Sequence, residues 1–263
     1  MTTLTAPVTV DTERSGVPLH RLVKVELRKM FDTRSGFWLM ASIGILALLA
    51  TILVILLASD ADLTYDSFAA SIGVPMTIIL PIIAILSVTG EWTQRTGLIT
   101  ITLVPHRARV VSAKAIASVL VGALAIPLAF AIGAVGNIVG SAIAGVDTVW
   151  DLGFESLVFI ILANVLGLLV GFMLGILIRN SAGAIVAYFV YSFVLPSLFE
   201  LLASKQDWFK DLQPWVDFKF AQSELFDGSL SPEQWANIGT SGVIWLALPL
   251  AIGTWSVLRA EVK

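Results

Sequence analysis

This chain of 263 residues contains no cysteine, two histidines and few charges. The absence of cysteine excludes disulfides, thiol nucleophiles and cysteine-ligated metals. His20 and His106 lie in separate polar segments, which excludes the paired histidines of a zinc protease and a histidine triad within the apolar part. Charged residues make up 13% of the chain, whereas a soluble domain has about 25%.

The sequence also lacks the G-x-x-x-x-G-K-[ST] pattern of a phosphate-binding loop. The chain therefore does not bind ATP in the manner of P-loop proteins, and any nucleotide must act through a partner. We expect no catalytic site, no metal site and no cofactor of its own. We also expect no nucleic-acid partner.

Long apolar runs dominate what is present. Hydrophobic residues account for 57% of the chain, and the mean hydropathy is +0.90. A helix needs about 20 apolar residues to cross a hydrocarbon core of about 30 Å. Six runs meet that length, and they predict an all-α integral membrane protein with six transmembrane helices at residues 37–58, 68–89, 115–144, 154–178, 184–203 and 238–258.

The basic residues are unevenly divided between the loops. Thirteen of the sixteen fall in the two terminal segments and in the second and fourth connections, and only Lys205, Lys210 and Lys219 fall on the other side. The positive-inside rule then predicts a multi-pass protein of the cell membrane with both termini in the cytosol. We expect contact with the lipid bilayer around all six helices.

Residues 1–18 have no clear periodicity and are predicted to form a flexible cytosolic tail. Residues 19–35 have the spacing of an amphipathic helix, with Arg28 and Lys29 on the basic face. Such a helix can lie on anionic lipid. Glu26 falls inside its apolar stripe, where a carboxylate is costly without a partner. Arg95 or Arg107 would supply one, although a Glu26 that reaches outward to water is the simpler account.

Residues 36–263 are predicted to form the six-helix domain. Its few intramembrane polar residues are candidates for a substrate path, although packing hydrogen bonds are the commoner role: Thr77, Asn137, Asn164, Ser192 and, near a span end, Glu200. Glycines recur every fourth residue at Gly167, Gly171 and Gly175, which favours packing within the bundle over a subunit interface. Aromatic residues fill the segment 204–237, which predicts short outer helices that either cover an exit path or form an inert aromatic belt.

A basic segment at residues 90–114 joins the second and third runs and reads GEWTQRTGLITITLVPHRARVVSAK. Together with the amphipathic helix, the six spans and the outer aromatic segment, it resembles the permease subunits of type-2 ABC transporters. The resemblance covers nearly the whole chain from about Leu19. Its most specific part is similar to the family's Glu, Gly-Thr, Leu, Pro, Arg, Lys pattern, with Thr-Gly in place of Gly-Thr here: Glu91, Arg95, Thr96, Gly97, Leu103, Pro105, Arg107, Arg109 and Lys114.

The resemblance implies a coupling helix that docks on a cytosolic ATPase, formed by Glu91, Trp92, Thr93, Gln94, Arg95, Thr96, Gly97 and Leu98. It implies that residues 19–35 are a connecting helix that includes Glu26, Arg28 and Lys29. Two permease chains, identical or different, would enclose the path, while ATP and Mg would bind to the partner ATPase. Most members of the family export their substrates, and the hydrophobic path favours hydrophobic or amphipathic small molecules.

Two other functions remain open on the sequence. One is a membrane anchor or scaffold that regulates a cytosolic partner through the same surfaces without transport. The other is a secondary transporter, although no proton or ion relay is visible in the spans. An ordinary connecting loop is the other interpretation of the segment at 90–114.

Overall fold

A computed structural model describes residues 17–93 and 107–259, apart from the side chains of Ser35, Glu91 and Thr93. Within these ranges all the regular elements are helices, which confirms the predicted all-α class. The α-helices are α1 (Leu19–Asp32), α2 (Arg34–Leu57), α3 (Tyr65–Thr93), α4 (Arg107–Ala144), α5 (Phe154–Ile178), α6 (Ser181–Phe189), α7 (Leu195–Lys205), α8 (Asp207–Val216), α9 (Phe218–Ser223), α10 (Pro232–Gly242) and α11 (Leu248–Arg259).

Among the residues that the structure describes, six stretches are long and apolar enough to cross a membrane, as predicted. They are Gly36–Leu57, Tyr65–Gly90, Arg107–Ala144, Phe154–Ile178, Ser181–Lys205 and Pro232–Arg259, and we call them the first to sixth spans. The third begins at Arg107 rather than at residue 115, because Arg107, Arg109 and Lys114 continue its helix beyond the apolar run. Short π-helical turns at Val190–Val194 and Val243–Ala247 make the fifth and sixth spans continuous.

The centre of the bundle is the contact of the second and fourth spans, and glycines make it close. A Cβ atom added to Gly171 would lie 2.5 Å from the backbone oxygen of Pro81, and one on Gly175 would lie 3.3 Å from the Cα of Ile85. Helices can approach this closely only where a side chain is missing. This glycine stripe is therefore used for packing inside the chain.

Helix α1 lies against the third and first spans. Its apolar residues Met30, Val23 and Leu27 pack on Ala117 and Val121 of α4, together with Met40 of α2. The helix ends at Asp32, and Thr33 caps the next helix by accepting a hydrogen bond from Gly36 N to its Oγ1 at 3.0 Å. The predicted segment 19–35 is thus one helix plus a short junction.

Short helices form at the opposite end of the bundle, in the aromatic segment 204–237. They are α8, α9 and the start of α10. Asp217 caps α9 by accepting hydrogen bonds from the backbone nitrogens of Lys219 and Phe220. Ser231 and Gln234 form a capping box at the start of α10. We call this end the cap side and the other end the α1 side.

Candidate functional site

A buried ion pair joins α1 to the third span on the α1 side. Lys114 Nζ donates to Glu26 Oε2 at 2.7 Å, and the two side chains are 6% and 8% exposed, respectively. Glu26 lies in the apolar stripe of α1, as the sequence indicated, and its carboxylate is buried rather than extended to water. A buried charge needs such a partner because moving an ion out of water costs several kcal/mol.

Further hydrogen bonds extend this pair to the second span. Lys114 Nζ also donates to the backbone oxygen of Ser87 at 3.2 Å, and Ser87 Oγ lies 3.1 Å from Ser118 Oγ. Lys29 Nζ donates to the other carboxylate oxygen of Glu26 at 2.8 Å. We call these five residues the α1 site. They join α1, α3 and α4 through charge-assisted bonds, which are stronger than neutral ones.

Of the two arginines suggested as partners of Glu26, Arg107 is not paired with it in the structure, and Lys114 and Lys29 are. Arg107 lies at the start of α4, where its Nη1 donates to the backbone oxygen of Val257 at 3.1 Å. Arg95 lies outside the described residues. Arg28, grouped with Glu26 and Lys29 as part of the connecting helix, faces water and pairs with Asp32 at 2.7 Å. The four-carbon stem of Lys114 allows it to reach Glu26 from within the third span.

The predicted coupling segment is described only at its beginning. The backbone of Glu91, Trp92 and Thr93 continues α3, so these residues extend the second span rather than start a separate helix. The Trp92 side chain is exposed. Gln94, Arg95, Thr96, Gly97 and Leu98 lie outside the described residues, and their coupling role stays a prediction.

Other polar contacts tie the ends of the remaining spans together on the α1 side. Thr89 Oγ1 lies 2.7 Å from Ser181 Oγ, which links the second and fifth spans. Arg179 follows the fourth span in a left-handed conformation with φ of 56°, and its Nη2 donates to Ser256 Oγ in the sixth. The sequence offered only the positive charge of Arg179 as a signal. The serine and threonine partners have no feature in the sequence that indicates these contacts.

Four of the candidate path residues, Thr77, Asn137, Asn164 and Ser192, make no hydrogen bond to one another. Thr77 Oγ1 bonds within its own helix, while its backbone oxygen accepts from Tyr188 OH at 2.6 Å. Asn137 Nδ2 donates to the backbone oxygen of Val149 at 2.8 Å and fixes the loop after the third span. Such contacts match the packing interpretation.

Asn164 resembles Asn137, whose Oδ1 is also buried without a partner among the described residues, and Ser192 has an unbonded hydroxyl. Asn164 Nδ2 bonds to the oxygen of Ile160 in its own helix. Its Oδ1 and the Oγ of Ser192 are buried without a partner among the residues that the structure describes. Ser192 lies in the π-turn of the fifth span. Turns of this kind often occur at functional sites.

On the cap side, two charged residues, Asp217 and Lys219, lie at the start of α9. Asp217 is 3% exposed, and its Oδ2 accepts from Gln213 Nε2 at 3.3 Å. Burial lowers the pKa of the neighbouring Lys219 ammonium, and the negative charge of Asp217 opposes that change. The Trp245 indole also donates to the backbone oxygen of Val216 at 2.6 Å, which fixes α8 on the sixth span.

Over residues 17–93 and 107–259, no group of three or more histidine, aspartate or glutamate side chains could hold a metal ion. A scan of protein-family models and a search of curated proteins give no match for this chain.

Proposed function

We propose that this chain is the permease subunit of an ATP-driven type-2 ABC exporter of hydrophobic or amphipathic small molecules. The observation that carries the proposal is the α1 site, in which one buried lysine binds both α1 and the backbone of the second span. The segment that resembles the family's coupling helix begins where that span ends. The α1 site therefore supports a role for α1 as a second point at which a partner can apply force.

The physical reason is stiffness. A buried ion pair resists separation because each charge left alone in an apolar site is costly. A movement imposed on α1 is then passed to the second and third spans, which are long helices and move as rods. The glycine contact at Gly171 passes it on to the fourth span, because close-packed helices transmit displacement. A partner ATPase supplies ATP and Mg, and a second permease chain completes the path.

The test is reconstitution with an ATPase encoded beside this chain. Mild detergent should extract two copies of the chain with two copies of the ATPase, and inverted membrane vesicles should take up a fluorescent amphipathic amine when ATP is added. Arg95→Glu should lower ATPase stimulation and uptake together while the complex still assembles. Lys210→Glu, on the exposed surface of α8 at the cap side, is the matched charge reversal and should change neither.

Three outcomes contradict the proposal. A partner that copurifies without ATP-driven uptake identifies a scaffold or anchor. Uptake that follows an ion gradient and ignores ATP identifies a secondary transporter. Full uptake by the Arg95→Glu complex removes the coupling role from the segment at residues 91–98.

A further inference from the structure

Glu200 is a carboxylate inside the fifth span. It lies five residues before Lys205, where Ser181–Lys205 ends, which is about 7.5 Å along a helix axis. Other carboxylates at the cap-side ends of the described spans lie at the edge, since Asp66, Glu155 and Glu233 are each the second residue of their span. Glu200 is the deepest of the four.

The side chain of Glu200 is exposed, and no described residue gives it a hydrogen bond or an ion pair. A carboxylate that faces hydrocarbon is costly, and intramembrane ionisable residues usually face a path or a partner. The fifth span is also the least covered by its own chain, with 6% of its apolar window buried against 44% for the second, third and fourth spans. A group of opposite charge from outside this chain can therefore reach Glu200.

Two aromatic rings share this face. Phe189 and Phe193 are exposed, and their rings stack with centroids 5.8 Å apart and an angle of 19° between the planes. Phe193 and Glu200 are seven residues apart, which places them on one side of the helix and about 10 Å apart along its axis. The face thus has an apolar aromatic end towards the middle of the membrane and a negative end towards the cap side.

We propose that this face binds an organic cation with an apolar body on Phe189 and Phe193 and an ammonium group at Glu200. The carboxylate supplies the opposite charge, and the two rings supply an apolar surface for the body of the molecule. The inference rests on the proposed function and narrows its substrate class from amphipathic molecules to cationic ones.

The test compares two probes of equal shape on the purified chain in nonionic detergent. One is a dansyl-labelled alkyl trimethylammonium, and the other carries an uncharged tert-butyl group in place of the trimethylammonium. Fluorescence should show that the parent chain binds the cation about tenfold more tightly. Glu200→Gln should remove this preference, and Glu200→Asp should keep most of it.

Two variants separate charge from apolar contact. Phe193→Ala should lower the binding affinity for both probes alike, by about fivefold, because it removes part of the apolar surface. Glu233→Gln is the matched control on the sixth span and should keep the full preference for the cation. Equal loss in Glu200→Gln and Glu233→Gln would mean general surface charge and would overturn the inference.

Two further results would also overturn it. One is an unchanged preference in Glu200→Gln with an unchanged thermal unfolding temperature. The other is a change in dimer fraction for Glu200→Gln without a change in probe preference, which would assign the face to a second copy of this chain. Binding needs no ATPase, so cation binding without ATP-driven uptake refutes only the proposed function, and uptake with no charge preference refutes only this inference.

Discussion

At the residue scale, Lys114 and Glu26 give the sharpest test of what holds α1 in place. Lys114→Met leaves the Glu26 carboxylate buried without its main partner, and we expect a loss of about 3–5 kcal/mol in the free energy of unfolding. Thermal unfolding in detergent measures the change. The double variant Glu26→Leu with Lys114→Met removes both charges and should restore most of the loss, since an apolar pair of similar volume suits a buried site.

The matched control is an ion pair of similar length on the same helix. Arg28 and Asp32 are 2.7 Å apart, but their side chains are 80% and 60% exposed. Arg28→Gln should therefore cost less than about 1 kcal/mol, because water screens the pair. Equal costs for Arg28→Gln and Lys114→Met would show that burial does not set the strength of the α1 site.

Sequence reasoning identified Glu26 as a residue in need of a partner but did not identify the partner. The helical period places Glu26 in the apolar stripe of α1, and local geometry is enough for that. Lys114 is 88 residues away, and its approach depends on how the third span packs against α1. That packing is a tertiary property with no local signal. Arg107 and Arg109 lie about as far from Glu26 along the chain as Lys114 does, so the sequence does not choose among them.

At the element scale, the fifth and sixth spans share an unusual construction. Each contains a five-residue π-turn followed by leucine and proline, at Val190–Val194 before Pro196 and at Val243–Ala247 before Pro249. Proline lacks an N–H and its ring clashes with the carbonyl four residues earlier, so a widened turn before it relieves the clash. Proline disfavours a regular helix, so the residue type alone indicates a disturbance at these two positions. The π form of the turn and the ring contact of Tyr191 with Trp245, at 5.8 Å, came only from the structure.

The contact between the second and fourth spans predicts a clear glycine effect. Gly171→Ala places a methyl group 2.5 Å from the Pro81 oxygen and 2.7 Å from its Cα, and this backbone cannot move aside without shifting a span. We expect a loss of about 1–3 kcal/mol, as for other overpacked cores. Differential scanning fluorimetry of the purified chain measures the shift.

Gly44→Ala is the control for this substitution. Gly44 lies in the first span, and a Cβ there meets nothing within 4 Å. Alanine should be neutral or slightly stabilising at this position, since it favours a helix over glycine by about 1 kcal/mol. If Gly171→Ala were as stable as Gly44→Ala, the second and fourth spans would not pack as closely as described.

The helices on the cap side predict a dependence of stability on pH. Burial lowers the pKa of Lys219 from its ordinary 10.5, so the folded chain holds this proton less tightly than the unfolded chain. Stability should therefore rise as the pH increases through the lowered pKa towards 10.5. Lys219→Met should remove this part of the rise and increase stability at neutral pH.

Lys210 on α8 provides the comparison for Lys219. It is exposed, so Lys210→Met should keep the alkaline rise of the parent chain. Thermal unfolding between pH 7 and about 10 compares the three proteins. An alkaline rise of the same size in Lys219→Met would mean that another group is responsible.

At the scale of the whole molecule, the sequence was sufficient to predict the all-α class and the number of spans. Six apolar runs of helical length leave no other way to satisfy the backbone in a membrane, so this prediction depends on solvent physics rather than on detail. The predicted bounds fail where charged residues extend a helix beyond its apolar run, as at Arg107. Contacts between spans had no comparable signal, except for the glycines, whose spacing marks a packing face.

The absence of cysteine makes the orientation of the whole chain testable by single substitutions. The positive-inside rule places the α1 side in the cytosol and the cap side outside. A cysteine at Asp62 or Asp227, both exposed, should react with a membrane-impermeant maleimide in intact cells, and one at the exposed His20 should react only after permeabilisation. Labelling of His20→Cys alone in intact cells would show that the orientation is the opposite one. An ATPase could then not reach α1 from the cytosol. The proposed coupling would then be wrong. The proposed direction of transport would also be wrong, because the aromatic face with Glu200 would lie towards the cytosol.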